Sequence, residues 1–183
     1  MSEQTSTKVV TGKVRFCYAN VFKPTAINDT DEPKYNICIL IPKKDKATLD
    51  KIRKAIEAAK EAGKAKLAGS SGKIPSNIKT PLRDGDDERP DDPAFAGCYF
   101  INANSRRKPG IVDRDMNEII DPDEFYSGCY GRASLNFYAF NVQSKGIAAG
   151  LNNLQKLAEG ERLMGGSTAE DDFADDFEDD DLI

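Results

Sequence analysis

Along Cys129–Asn141 (CYGRASLNFYAFN) the first eleven residues alternate between two chemistries. Cys129, Gly131, Ala133, Leu135, Phe137 and Ala139 fall on one side, small or apolar. Tyr130, Arg132, Ser134, Asn136 and Tyr138 fall on the other. Period two over that length requires an extended strand with one face in a core. The small inward residues suit the interior of a narrow barrel. Val9–Phe22 alternates in the same way. There Val10, Val14, Phe16 and Tyr18 are set on one face, and Thr11, Lys13, Arg15, Cys17 and Ala19 on the other. Lys34–Ile41 (KYNICILI) puts Tyr35, Ile37, Ile39 and Ile41 together and ends at Pro42. Cys98–Ala103 and Ile111–Val112 read as further strands.

One helix interrupts the strands. Asp45 suits an N-cap for a helix running to about Leu67, with Leu49, Ile52, Ile56 and Ala59 as a narrow apolar stripe. Its other faces are lysine-rich, as an ordinary solvated surface would be. Residues 68–97 read as a long loop, and Ser105–Gly110 (SRRKPG) as a basic turn. For Gly146–Leu163, the spacing of Leu151, Leu154 and Leu157 predicts a short closing helix, with Gly146–Ala149 open to a strand reading. Five or so strands with one inserted helix predict a mainly β fold, a five-stranded oligonucleotide-binding (OB) barrel; a β-sandwich is the alternative.

Charge divides the chain in two. Residues 165–183 (GGSTAEDDFADDFEDDDLI) hold nine acidic and no basic residues. The rest holds 26 basic and 22 acidic residues, so a body of +4 is joined to a tail of −9. Such a tail cannot bury enough apolar surface to offset ordering entropy. The expected organisation is therefore a folded domain over 1–164 and a disordered acidic tail over 165–183. Phe173, Phe177 and the end Asp179, Asp180, Asp181, Leu182 and Ile183 read as anchors for a partner.

Several chemistries are excluded or disfavoured. The chain has no histidine, which removes the usual general base, the Ser/His and Cys/His pairs and the commonest metal ligand. No glycine-rich phosphate loop is present. Cys17, Cys38, Cys98 and Cys129 lack zinc-site spacing and read as buried thiols of a reducing compartment. No run is apolar enough to span a bilayer, and the first residues lack a signal peptide's apolar stretch, so a cytoplasmic location is expected. Asp113–Glu124 sets oxygens in a calcium-loop order, but Glu118 stands where the sharp turn needs glycine. Asp84, Asp86, Asp87, Asp91 and Asp92 form a carboxylate cluster that a metal-dependent nuclease could use. A solvated loop is the simpler reading of both.

The residues that favour a ligand are arginines and tyrosines on outward strand faces. Single-stranded nucleic acid needs cations along its phosphates and rings under its bases. Tyr130, Arg132 and Tyr138 supply both at strand spacing. Arg15, Tyr18, Lys34 and Tyr35 extend the set, and Arg106, Arg107 and Lys108 add a basic turn.

The stretches VTGKVRFCYANVFKP, PKYNICILIPK, KTPLRDGDDERPDD, YFINANSRRKPGIVD, EFYSGCYGRASLNFYAFN and KGIAAGLNNLQKLAEGERL carry a resemblance. In that order, over nearly all of residues 8–164, the chain resembles a phage single-stranded-DNA-binding protein family with an OB fold, long grouped as a phage domain of unknown function. The resemblance implies a non-enzymatic protein without cofactor or metal that coats and protects single-stranded DNA (ssDNA) in phage replication and recombination. The tail resembles those of replicative single-strand-binding proteins, which dock partner enzymes and compete with DNA for the groove. Bacterial tails end in Ile-Pro-Phe, whereas this one ends Asp181-Leu182-Ile183. The partners expected are ssDNA and, through the tail, replication or recombination proteins, with no membrane. A homo-oligomer is compatible with the sequence, and RNA is not discriminated by stacking and phosphate contacts. The rival readings are the metal-dependent nuclease and a DNA-mimic or adaptor acting through its tail.

Overall fold

A computed structural model of the chain describes residues 7–26, 32–142 and 144–163. The acidic tail and its end, Asp179–Ile183, lie outside the described residues.

Five long strands carry the architecture: β2 (Val14–Thr25), β3 (Lys34–Pro42), β5 (Cys98–Ser105), β7 (Tyr130–Val142) and β8 (Ser144–Ala158). Three short ones, β1 (Lys8–Val10), β4 (Arg83–Asp84) and β6 (Gly110–Val112), add to the edges. β2 pairs with β3 and β3 with β5, both antiparallel. β5 pairs with β8 in parallel, β8 with β7 antiparallel, and β7 returns antiparallel to β2. That circuit closes a five-stranded barrel, the first of the two folds expected, rather than a β-sandwich. The inward residues foreseen for that strand are buried, and Arg132 and Tyr138 are exposed.

The helix forms where its cap and stripe put it. The carboxylate of Asp45 accepts from the Thr48 N–H at 3.2 Å, starting α1 (Lys46–Ala62). Leu49, Ile52, Ala55, Ile56 and Ala59 are buried in the same cluster as Phe16, Ile39 and Phe137. The expected helix to Leu67 is broken at Gly63 into α1 and α2 (Lys64–Ala68). There the backbone runs so close to β7 that an added Cβ would collide with the Ala139 side chain.

Three sequence expectations change. First, the strand over Val9–Phe22 is two strands. Thr11 folds back, donating its N–H to Ala133 O at 2.9 Å and accepting from the Ala133 N–H at 3.0 Å. Parity does not carry across that break, so Val9 is buried and Val10 is 39% exposed. Second, Leu151 and Leu154 belong to β8, not to a helix. Ser134 faces Asn153 and Leu135 faces Leu151, which leaves Asn152 as a bulge. The extra residue turns two inward leucines from even to odd spacing, imitating a helical i, i+3 pair. Third, Tyr18 is not on the Phe16 face. Cys17 faces Cys38 and Asn20 faces Asn36, so Tyr18 and Ala19 together oppose Ile37. This bulge holds Tyr18 at φ 49° and sends Ala19 inward.

The long loop is short pieces fastened together. It contains β4, the single turn α3 (Gly85–Glu88) and a 3₁₀ turn at Pro93–Phe95. Phe95 meets Phe100 edge-on, 5.1 Å between centroids. With Cys17, Cys38 and Leu40 these rings form a second, smaller core on the outer side of the β2–β3–β5 sheet. No helix of the described residues is long and apolar enough to cross a membrane.

Candidate nucleic-acid interface

Beside that small core the outer face of β2, β3 and β5 is left open. Side chains alternate, so Lys34, Asn36 and Cys38 of β3 stand beside Asn102 and Asn104 of β5. From β2 come Tyr18, Asn20 and Thr25. With Glu32, Arg89 and Arg106 they line a groove of ≈ 1070 Å³. The polar surface is laid out in a row. The Asn20 amide donates to Asn36 Oδ1 at 2.9 Å, and Asn36 donates to Thr25 Oγ1 at 2.9 Å. Among the described residues no side-chain hydrogen bond engages Asn102 or Asn104, so both amides are open to a ligand.

The groove's cations sit on its rim. The Arg89 guanidinium lies over the Phe95 ring, 5.6 Å from its centroid. Arg106 meets Glu32 at 3.4 Å, both well exposed, a contact worth well under 1 kcal/mol. Beneath them Cys38 is inert: burial pushes its thiol up to about 12. Cys17, opposite it, is also raised by burial, and both are unpaired thiols.

Of the ten residues foreseen, this groove gathers Tyr18, Lys34 and Arg106. Tyr35 shares its parity with Ile37 and so turns away from it. Arg107 and Lys108 follow on the turn, Lys108 with its ammonium 5.3 Å from the Phe22 ring centroid. Tyr130, Arg132 and Tyr138 form a separate strip on β7. Arg132 donates to Thr11 O at 3.0 Å, and Tyr138 is 42% exposed. Arg15 is tied down: it donates to Gly128 O at 3.0 Å and Glu161 O at 2.8 Å, and its guanidinium lies 5.3 Å from the Tyr130 ring centroid. Asn20, Asn36, Asn102, Asn104 and Arg89 were missed. The period-two asparagines of Phe100–Ser105 were a readable signal; Arg89, in a loop, offered none.

Three carboxylates of the long loop, Asp84, Asp86 and Asp92, have partners within the protein. Asp84 and Asp86 each hold the Lys43 ammonium at 2.8 Å. The ion pair lowers both carboxyls and raises Lys43. Asp86 also accepts from the Gly97 N–H and Asp92 from the Ala94 N–H. Asp113 accepts from the N–H groups of Asp115 and Asn117, closing a tight turn rather than a cation loop. Among the described residues no three acidic or thiol side chains converge to hold a metal.

The chain's last described segment ends on the small core. Tyr126 is gripped between Lys156 and Arg162, whose charged groups lie 5.3 and 4.4 Å from its ring centroid, and its hydroxyl bonds Glu159. Burial, the larger cause, and that carboxylate raise the phenol's pKa. Leu163 then donates to Ser127 O at 2.9 Å and packs on the small core, as Tyr18 does.

A closed five-stranded barrel with parallel β5–β8 closure and a cationic, amide-lined groove on its β2–β3–β5 face defines a protein of the OB-fold class. The chain belongs to the family of the Enterobacter phage Enc34 ssDNA-binding protein, which matches residues 7–183. It is similar to the single-stranded DNA-binding protein from bacteriophage Enc34, solved in complex with ssDNA. The two are 27% identical with a TM-score of 0.69, covering 86% of this chain and 89% of that one. It is also 28% identical over 166 residues to putative protein p50 of Acyrthosiphon pisum secondary endosymbiont phage 1, covering 88% of this chain and 89% of the relative. The ssDNA-binding protein gp2.5 of bacteriophage T7 shares the fold, with a TM-score of 0.64 at 15% identity, over 98% of this chain and 99% of that one.

Proposed function

We propose that this protein binds ssDNA without sequence preference in the β2–β3–β5 groove, coating and protecting it during phage replication and recombination in the cytoplasm of the bacterial host. The observation that carries the reading is the groove itself. Lys34, Arg89 and Arg106 offer charge to phosphates, Tyr18 offers a ring to a base, and the open amides of Asn102 and Asn104 bond sugars or base edges without demanding one base. The relative solved with ssDNA supports it. The protein acts by binding, without catalysis or a cofactor.

The tail, residues 165–183, serves as a dock for replication or recombination proteins and as a competitor for the groove. Its root at Leu163, on the same small core that carries Tyr18, supports the second role: tethering there gives a −9 segment a millimolar effective concentration for the rim cations. The test is fluorescence anisotropy with labelled oligothymidine, single-stranded against duplex. Arg106→Ala with Asn102→Ala should weaken single-strand binding about tenfold or more, and Tyr138→Ala on the separate strip should weaken it less. If only Tyr138→Ala and Arg132→Ala weaken it, the DNA path runs over β7 and the groove reading falls.

A further inference from the structure

The groove is not the largest concentration of positive charge on the body. Residues 46–68, the α1–α2 segment, hold seven basic and three acidic residues, an excess of four that equals the whole excess of residues 1–164. The remainder of the body is neutral. Long-range attraction of a −9 tail is therefore directed at the helix at least as strongly as at the groove rim.

At the start of α1 that charge surrounds an open pocket. Lys43, Lys46, Ala47, Leu49, Asp50, Arg53 and Tyr99 enclose ≈ 560 Å³. Tyr99 is half-buried, with Lys43 Nζ 5.3 Å and Arg53 Cζ 5.5 Å from its ring centroid. Lys43 is already paired with Asp84 and Asp86, and Asp50 with Lys54 at 3.1 Å. Lys46 and Arg53 make no ion pair among the described residues, so these two cations face the pocket uncompensated. An aromatic ring and apolar floor ringed by open cations fit a peptide in which carboxylates flank an aromatic side chain. The tail repeats that chemistry: Asp171-Asp172-Phe173 is followed by Asp175-Asp176-Phe177.

We propose that, when ssDNA holds the groove, the tail of the same molecule seats in this pocket, with a Phe of the repeat against Tyr99 and its carboxylates on Lys46 and Arg53. Reach permits it. Fourteen residues separate Leu163 from Phe177 and span up to about 50 Å extended, while a body of this size is roughly 40 Å across. A tethered peptide needs only weak intrinsic affinity to stay docked. The displaced tail thereby leaves the groove rim without being left wholly in solvent.

The DNA-dependent part rests on the groove reading, and one experiment separates the two. Phe177 of the full chain is replaced by the photocrosslinker p-benzoylphenylalanine, and the chain is irradiated with and without saturating oligothymidine, whose retention is read by anisotropy. The expected product has the mass of one chain, with crosslinks in the Ala47–Arg53 peptide or at Tyr99, and its yield rises with oligothymidine. Lys46→Glu with Arg53→Glu, both exposed, should cut that yield about fivefold while the melting temperature holds and saturating oligothymidine is still retained. Crosslinks confined to groove peptides with DNA bound, none on the body in either arm, a product of twice the mass, or a yield indifferent to the double substitution would each overturn the dock. Failure to retain oligothymidine would instead overturn the groove reading, and the DNA-free arm would still report on the pocket.

Discussion

Tyr18 concentrates the argument at the residue scale. A bulky residue at φ 49° is in a region where its Cβ crowds the backbone, at a cost on the order of 1–3 kcal/mol. The bulge that causes this is held from outside by the Ala19 N–H donating to Ser127 Oγ at 2.9 Å. Strain kept in place at a groove points to use of the ring there. Tyr18→Gly should leave the melting temperature unchanged or raised while weakening oligothymidine binding by about 1–3 kcal/mol, one stacked base. Tyr18→Phe should keep most of the affinity. Melting of the Gly variant would make the ring a core residue instead. The sequence names Tyr18 as a candidate ring but not its bulge: period two sets it on the Phe16 face, and a bulge leaves no mark in the alternation it interrupts. Lys34 and Arg106 were readable because parity and turn position settle them without a bulge.

Among the elements, strands and helix were legible to the extent that one local periodicity governed them. β7 and β3 matched because their faces are uniform, and α1 because Asp45 and Leu49–Ala59 state a cap and a stripe. β8 failed because its bulge at Asn152 shifts Leu154 by one residue, and the leucine spacing then imitates a helix. The break at Gly63 is a tertiary effect, set by Ala139 on a distant strand. Gly63→Val should lower stability by roughly 1–3 kcal/mol, seen as a fall in melting temperature, with oligothymidine affinity intact because α1 is remote from the groove. The fastening of the long loop has a pH signature. The carboxyls of Asp84 and Asp86 titrate below the ordinary aspartate value, so their support is complete above it and is lost as pH falls through the lower folded-state values. Amide exchange at Gly97, whose N–H donates to Asp86, should stay protected at neutral pH and lose protection once the pH falls below 3.8, measured by NMR.

For the molecule as a whole, the decisive quantities are the balance between a nearly neutral barrel, a positive helix and a −9 tail, and where the tail begins. Sequence showed the charge division directly, because counting needs no fold. It could not show that Tyr126, clasped by Lys156 and Arg162, and the Leu163–Ser127 bond fasten the chain to the small core before the acidic run starts. The competition proposed between tail and DNA has a characteristic salt dependence. Three rim cations, Lys34, Arg89 and Arg106, predict that log K falls against log salt with a slope of about −2 for a single strand. A chain ending at Met164 should bind oligothymidine more tightly than the full chain at low salt. The difference should shrink as ionic strength approaches 1 M, where screening reaches about 3 Å and the tail no longer senses the rim. Because removing the tail also removes a salt-sensitive competitor, the shorter chain should show the steeper slope. Equal affinities at every salt concentration would mean that the tail never visits the groove, leaving docking of partners or of the α1 pocket as its work.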